Sequence, residues 1–474
     1  KQALLIPNGI LGIVALICPH GVTMILLILW NLVLCKYYAY LRKSNTKKKL
    51  VYTMRVRRQV ATDVIVNGII LALVWIFCGV NYVPGTAAVL ISLQMTALLL
   101  VNLVNRPAEK MITNHFINDA KRMLKEVPGL TIIGITGSYG KTSVKYYLQT
   151  LLQDHFNVLI TPESYNTPMG VVKTIRGSLK STHEIFVCEM GARHVGDIKE
   201  ICDIVHPHHG VITSIGPQHL ETFFNMDIIV HTKYELADAL PADGMLFLNG
   251  DNEYVTGNSD AYANKIFYRS QTTGEGYQAS DIQLSQLGTE FTVTAPDGTS
   301  ERFQMRLVGE HNVINVVGAI AVANSMGISL RDLRVPVRRI QPVAHRLQMI
   351  ERGAVTIIDD AYNSNPVGSK AAVETLAMFD GVRILITPGM VELGKEEEQY
   401  NYKFGTYAAA CCDYILLVGR KHTEPIKKGV LDSGFSEEKC HVYDTLEDAL
   451  SFAYSIKDEG HKFILLENDL PDNY

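Results

Sequence analysis

The densest chemical signal in the chain is the run Gly134-Ile-Thr-Gly137-Ser138-Tyr-Gly140-Lys141-Thr142-Ser143, which follows an apolar stretch and opens a helical pattern. Glycines let backbone N–H groups approach phosphate oxygens, and a helix start adds the positive end of its dipole. In such a loop a lysine neutralises the β- and γ-phosphates, and the hydroxyl after it is placed for Mg2+. Lys141 and Thr142 take those positions, and Gly137, Ser138, Gly140 and Ser143 complete a nucleotide loop for ATP. One departure is visible: Ile135 stands where the usual pattern has its first glycine, and Gly134 lies one residue earlier. Glu189 ends a second apolar run and His219 lies just past a third. Each taken alone is an ordinary loop residue. Beyond successive strand ends, where open α/β sheets bind ligands, they read together as a site, with Glu189 well placed as a metal ligand.

The elements that must position these groups can be read from periodicity. Thr131 to Thr136, Asn157 to Ile160, Glu184 to Cys188, Gly210 to Ile215 and Met245 to Leu248 read as buried strands with helices between them, which predicts a mainly parallel sheet. Alternation across Asp281 to Leu307, about the Pro296-Asp297-Gly298 turn, predicts a small antiparallel ribbon. A helix from Asn312 to Met326 closes that domain. A second α/β set follows, with strands near Val355 to Ile358, Arg383 to Ile386, Tyr414 to Val418, His441 to Tyr443 and Lys462 to Leu466. The stretch Arg334 to Pro342, with its two prolines, is the expected hinge.

Ahead of this α/β part the composition changes. Val22 to Cys35, Val64 to Val80 and Ala87 to Val104 are apolar, and about 20 such residues span a bilayer as a helix. Gly9 to Cys18 precede the first, broken at Pro19, His20 and Gly21, so one kinked span or a span plus an interfacial segment both fit. Buried core helices are the alternative. Arg42, Lys43, Lys47, Lys48, Lys49, Arg55, Arg57 and Arg58 lie between the first two spans, and the Asn81 to Thr86 turn carries no charge. The positive-inside rule then makes this a multi-pass protein of the cell membrane with its catalytic part in the cytoplasm. From Glu109 to Glu126 a helical pattern fits either a helix on anionic lipid or one packed on the soluble body. The expected division is 1–108 transmembrane, 109–128 linker helix, 129–336 central domain and 337–474 C-terminal domain. A net charge of −4 offers nothing to nucleic acid, and eight cysteines without a CxxC pair suggest a reducing compartment and no structural metal.

The loop at 134–143 resembles the signature of the Mur ligase family, and the likeness continues in order to the end of the chain. Thr161-Pro-Glu-Ser-Tyr-Asn166-Thr-Pro-Met-Gly170 looks like the family's Asn- and Gly-bearing segment before a helix. Glu189-Met-Gly-Ala-Arg-His194-Val-Gly196-Asp197-Ile is similar to the E-L-G-A-N-H-x-G-E-I block of its D-alanyl-D-alanine-adding, MurF-like branch. His219-Leu-Glu221-Thr-Phe, His311-Asn312 with Asn315, Asp359-Asp360-Ala-Tyr362-Asn363-Ser-Asn365-Pro366 and Pro388-Gly-Met-Val-Glu392-Leu-Gly394 resemble further blocks. The resemblance implies a P-loop central domain with a Rossmann-like C-terminal α/β domain. It implies Mg2+ held at Thr142, Glu189 and His219, and at Lys233 in Thr232-Lys233-Tyr-Glu235. That lysine is carbamylated in the family; a helix-surface lysine is the alternative. Lys141, His219 and Lys233 are the implied catalytic groups. Asn312, Asn315, Arg346, Asp359 and Asn363 are implied to hold ATP.

The implied activity is ATP-dependent amide-bond formation through an acyl phosphate, on a muramyl peptide of peptidoglycan synthesis, with D-alanyl-D-alanine or a related amino acid or dipeptide as the amine. Soluble members carry a uridine-diphosphate-holding domain where this chain has its apolar spans, so a lipid-linked muramyl peptide stands beside the UDP-linked one. The ending Glu467-Asn-Asp-Leu-Pro-Asp-Asn-Tyr474 has no counterpart of the branch's K-G-S-R run. Other readings are a folylpolyglutamate or poly-glutamate synthetase-like ligase, and a membrane-bound ATP-binding scaffold without catalysis.

Overall fold

The computed structural model describes residues 5–18, 21–41, 51–362 and 364–469. Arg42 to Lys49 of the basic stretch, the Pro19-His20 break, Asn363 and the end from residue 470 lie outside the described residues. The chain separates into two compact units, Lys1–Phe116 and Ile117–Tyr474.

The first unit is helical: α1 (Leu5–Ile17), α2 (Gly21–Leu41), α3 (Met54–Cys78), α4 (Val83–Ser92) and most of α5 (Gln94–Lys125). By length and composition α3 can cross a membrane, and none of its residues is buried. The third expected span is corrected. Ala87 to Val104 does not run straight, because the chain bends by 78° between the helical stretches Val80–Ser92 and Gln94–Lys125. Hydropathy measures composition and is blind to such a break. The described residues therefore hold one helix fit to span, or two if the bent pair is one crossing. The uncharged turn is also shorter than expected, since Pro84 sits in the first turn of α4. Nor is the linker a separate helix; α5 passes through Pro107 to Lys125. The shift at Arg106 changes what the side chains prefer around them and leaves helix propensity intact. Polar side chains join α3 to α5: Arg58 donates twice to Glu109 (2.8 and 2.9 Å), Gln59 to Asn102 (3.2 Å), Thr62 to Asn105 (3.0 Å) and Gln94 to Asp63 (2.8 Å).

The second unit holds two sheets. The first is built from β1 (Thr131–Thr136), α6 (Lys141–Leu152), β2 (Val158–Ile160), α7 (Pro168–Ser178), β3 (Ile185–Glu189), α8 (Asp197–Val205), β4 (His209–Ile212), α9 (Leu220–Phe223), α10 (Met226–Asp238), β5 (Leu246–Asn249), α11 (Glu253–Thr256) and β6 (Lys265–Arg269). It then continues into β7 (Tyr277–Ser285), β8 (Gly288–Thr294) and β9 (Ser300–Met305). The strand order is β2-β3-β1-β4-β5-β6-β7-β8-β9, parallel as far as β7 and antiparallel from β7 to β9. After β1 the chain moves to one side for β2 and β3, then crosses to the other for β4. That reversal opens a crevice beyond the carboxyl end of β1.

The helices α12 (Glu310–Ser325) and α13 (Leu330–Arg339) follow. The expected hinge is corrected here, since α13 takes up most of it, Pro336 included. Ser329 caps this helix by accepting from Asp332 N at 3.2 Å, and Leu330, Leu333, Pro336 and Val337 bury one face. Burial outweighs the hydrogen bond lost at the proline. The second sheet comprises β10 (Gln348–Arg352), β11 (Val355–Asp360), α14 (Pro366–Leu376), β12 (Val382–Thr387), α15 (Glu397–Cys411), β13 (Tyr414–Val418), α16 (Glu424–Asp432), β14 (Cys440–Tyr443), α17 (Leu446–Ser455) and β15 (Lys462–Glu467). Its order is β10-β11-β15-β12-β13-β14, with the edge strand β10 antiparallel and the rest parallel. The fold is thus the α/β arrangement expected, with β6 and β10 as strands that the periodicity did not mark.

Candidate active site

Beyond β1 the backbone must turn sharply into α6, and two glycines make the turn. Gly137 (φ 146°) and Gly140 (φ 83°) have positive φ, where a side chain is strained. A Cβ at Gly137 would lie 2.1 Å from Thr213 Oγ1, and one at Gly140 would lie 2.5 Å from Asn315 Oδ1. The loop is tied to the end of β4 and the segment after it: Ser138 N donates to Ser214 O (2.7 Å), Ser138 Oγ to Gly216 O (2.9 Å) and Tyr139 Oη to Pro217 O (2.8 Å). Lys141 folds back over the loop and donates to Gly137 O (2.5 Å) and Ser138 O (3.0 Å). Burial lowers its pKa to about 8, with the Glu189 charge acting against that.

Glu189 is the last residue of β3 and only 1% exposed. Thr142 Oγ1 and Asn166 Nδ2 both donate to its Oε1, at 3.1 and 3.0 Å. Its Oε2 lies 2.9 Å from Lys145 Nζ, an ion pair without hydrogen-bond alignment. Burial pushes this carboxyl up, but the Lys145 and Lys141 ammonium groups more than offset it and hold Glu189 below the usual range. Lys145 is fully buried and also donates to Glu163 O at 2.5 Å. Periodicity held the clue to it: Lys145 lies four residues after Lys141, on the same face of α6.

His219 opens α9, and its Nδ1 is 2.6 Å from Oε2 of Glu392, which comes from the segment after β12. Lys233, on α10, is 3% exposed, and its Nζ sits 6.0 Å from the centre of the Phe223 ring. Burial, and then the nearby Lys141 charge, lowers its pKa to about 7. Glu235, two residues on, accepts from the N–H groups of Gly196 (2.6 Å) and Lys199 (2.9 Å) at the start of α8.

A cleft of about 390 Å³ brings together Ser138, Gly140, Lys141, Thr142, Ser143, Glu189, His219, Lys233 and Arg346. Gly137 is not in its lining. A neighbouring hollow of about 130 Å³ is lined by Gly140, Ser143, Asn312, Asn315 and Arg346. The Arg346 guanidinium stacks 4.5 Å above the Tyr362 ring, and Tyr362 Oη donates to Ser164 Oγ at 2.9 Å, joining the C-terminal segment to the loop after β2. Asn312 is spent within the fold, accepting from Tyr147 Oη (2.8 Å) and donating to Val308 O (2.9 Å). Asp359 lines neither hollow; it accepts from Ala361 N (3.1 Å) and meets His345 Nδ1 (2.8 Å). Its neighbour Asp360 borders the second hollow instead. Alternation along β11 sends adjacent side chains to opposite faces, so the motif Asp359-Asp360 could not say which acid faces the site. Asn363 lies outside the described residues.

Among the described residues no three His, Cys, Asp or Glu side chains form a metal-holding group. The Thr142 hydroxyl and the Glu189 carboxylate are nevertheless hard oxygen donors in contact. Mg2+ usually takes one or two such groups and completes its shell with water and substrate phosphate.

Residues 135–323 match the Mur ligase middle domain, and residues 345–466 match the Mur ligase glutamate ligase domain. The chain is similar to the UDP-N-acetylmuramoyl-tripeptide--D-alanyl-D-alanine ligase of Escherichia coli, 29% identical over 330 residues, which span 67% of this chain and 73% of that protein. It is 34% identical over 347 residues to the ligase of the same name from Mycobacterium leprae, spanning 67% of each. The matched stretches cover between 49% and 73% of these and other curated relatives. Among solved structures, MurF from Acinetobacter baumannii superposes with a TM-score of 0.68 at 26% identity, over 75% of this chain and 77% of that one.

Proposed function

Because the chain belongs to the Mur ligase family, we propose that it joins a muramyl-peptide carboxylate to an amine at the expense of ATP, with D-alanyl-D-alanine as the first amine to test. The observation that carries this reading is the meeting of Lys141, Thr142, Glu189, His219, Lys233 and Arg346 in one cleft. The named activity of the bacterial relatives supports this substrate pair over a folate or poly-glutamate one.

A carboxylate does not acylate an amine in water, so it must first gain a leaving group. In the proposed reaction the bond from the γ-phosphorus to the ADP oxygen breaks, and a P–O bond to the substrate carboxylate forms. The amine lone pair then attacks the acyl carbon, the C–N bond forms, phosphate leaves and the amine proton is released to solvent. Loop N–H groups and Lys141 hold the phosphates and offset charge where it builds up. Arg346 adds a cation from the C-terminal segment, stacked on Tyr362 and therefore fixed in direction. Thr142 and Glu189 would hold Mg2+, which neutralises phosphate charge when bound. His219 would offer Nε2, its ring orientation set by Glu392. A buried lysine pushed down to about 7 is neutral in about half of the molecules at neutral pH, and the neutral amine is the form that adds to carbon dioxide. Lys233 would thereby become a carbamate, an anion in place of a cation.

The apolar first unit supports placement at a membrane with the cleft on the cytoplasmic side, and hence a lipid-linked acceptor. Arg55, Arg57 and Arg58 at the start of α3 agree with that orientation. The decisive experiment supplies purified protein with ATP, Mg2+, muramyl peptides and amines, and reads products by mass spectrometry. ATP binding without amine-dependent ADP release would leave a scaffold. Faster turnover of the UDP-linked than of the lipid-linked tripeptide would remove the lipid idea.

A further inference from the structure

One cation in the cleft lining has no part in the reaction just described. Arg193 lies at the rim with its side chain 66% exposed. Its base is fixed: the N–H groups of Arg193 and His194 both donate to Asp197 Oδ2, at 2.8 and 2.9 Å. Its head is loose, for the ion-pair contact it makes, to Glu392 Oε1, is 3.9 Å long, beyond hydrogen-bond reach. A guanidinium on a pinned backbone, with an unengaged fork beside Lys141, His219 and Lys233, is preorganised for a planar anion.

A solvated surface arginine would show the same exposure. What separates the two cases is Glu392. This residue has a positive φ of 64°, a conformation that L side chains adopt at a cost, and its side chain is 19% exposed. It holds a carboxylate with one oxygen on His219 Nδ1 at 2.6 Å and the other toward Arg193. The chain thus accommodates a carboxylate at the rim, in the gap between an imidazole and a guanidinium.

We propose that Arg193 is a specificity residue that binds the unreacting carboxylate of one of the two peptide substrates, which takes up its fork in exchange for Glu392. The proposal rests on the ligase reading and adds to it the group by which a substrate is recognised. The carboxylate could be that of the incoming amine or a second one on the muramyl peptide, and the two are separable.

The test is steady-state ADP release by the full chain and its Arg193→Gln and Arg193→Lys variants. Each substrate is supplied with its free carboxylate or with a carboxamide in its place. For Arg193→Gln the KM of one carboxylate-bearing substrate is expected to rise about tenfold or more, as befits a lost charge-assisted hydrogen bond. The KM for ATP should stay within about twofold. The carboxamide form of that same substrate should not distinguish variant from parent, and whichever substrate shows this owns the carboxylate. Arg193→Lys should recover part of the loss, since an ammonium keeps the charge without the fork. If Arg193→Gln keeps the parent's preference for carboxylate over carboxamide on both substrates, or moves all three KM values together, the proposal is overturned. No amine-dependent turnover by the unaltered chain would overturn the ligase reading and this proposal with it.

Discussion

In the first unit Ile65, Trp75, Ile76 and Phe77 are 60%, 62%, 70% and 79% exposed, while Asn8 is completely buried. In the second, Ile133, Ile135 and Val187 are completely buried, and charge is drawn inward chiefly at the cleft. The polar groups of the first unit pair helix to helix, through Asn8 and Ser92 (3.1 Å) and through the Arg58–Glu109 and Asp63–Gln94 contacts. In the second unit one cluster of buried charge lies at the cleft, where Lys141, Lys145 and Glu189 offset one another. The contrast separates two uses of polarity. Among helices whose outward faces are apolar, polar side chains specify which helices pair; in an α/β body with an apolar core, buried charge is costly and is kept where chemistry needs it.

The sharpest way to break that contrast is Lys141→Ala. If charge at the cleft serves the reaction, ADP release should fall by about a hundred- to a thousandfold, with a smaller loss of thermal stability than at Lys145, the residue that makes the direct ion pair with Glu189. Lys145→Met tests the other side of the same cluster. Removing one partner of a fully buried pair leaves Glu189 uncompensated, a cost of about 3–5 kcal/mol, visible as a lower urea midpoint for the second unit. A retained midpoint would show that Asn166 and Thr142 suffice to hold that carboxylate.

Asp360 yields an effect with a definite sign. Burial, and then the Glu467 charge, raises its carboxyl from 3.8 to about 7. Between those values the unfolded chain gives up the proton and the folded one keeps it, so stability falls as pH rises from about 4 to about 7 and then levels. Asp360→Asn should remove most of that fall, on the order of 4 kcal/mol across the interval at about 1.4 kcal/mol per pH unit, in pH-dependent urea unfolding. The smallest change belongs to the first unit. In a double-mutant cycle, Asp63→Leu with Gln94→Leu should report a coupling of about 0.6 kcal/mol if the pair behaves as polar pairs between helices in a bilayer do; a coupling of several kcal/mol would show that this seam is held differently.

Much of the catalytic unit was legible because its signals are local. The glycine pattern at 137–140 needs a backbone that only glycine takes easily, and β-branched runs such as Thr131 to Thr136 declare buried strands. Lys141, Thr142, Glu189, His219 and Lys233 could be singled out one by one, and the structure brings them into a single cleft. Less legible were groups whose meaning depends on what faces them. Arg193 and Glu392 stand in recognisable segments, yet a separation of 199 residues carries no hint that their side chains approach across the cleft. The helix break near Leu93 was hidden because both of its sides are equally apolar.

Residue types and short-range periodicity by themselves determined the phosphate loop, the parallel cores of the two sheets and the apolar character of the first unit, since each follows from backbone sterics or from alternation along a few residues. Tertiary structure alone decided that Asp360 and not Asp359 borders the site, that Lys145 compensates Glu189, and that His219 meets Glu392. Those outcomes rest on side-chain directions and distances between segments far apart in the chain, and local propensity contains no information about either.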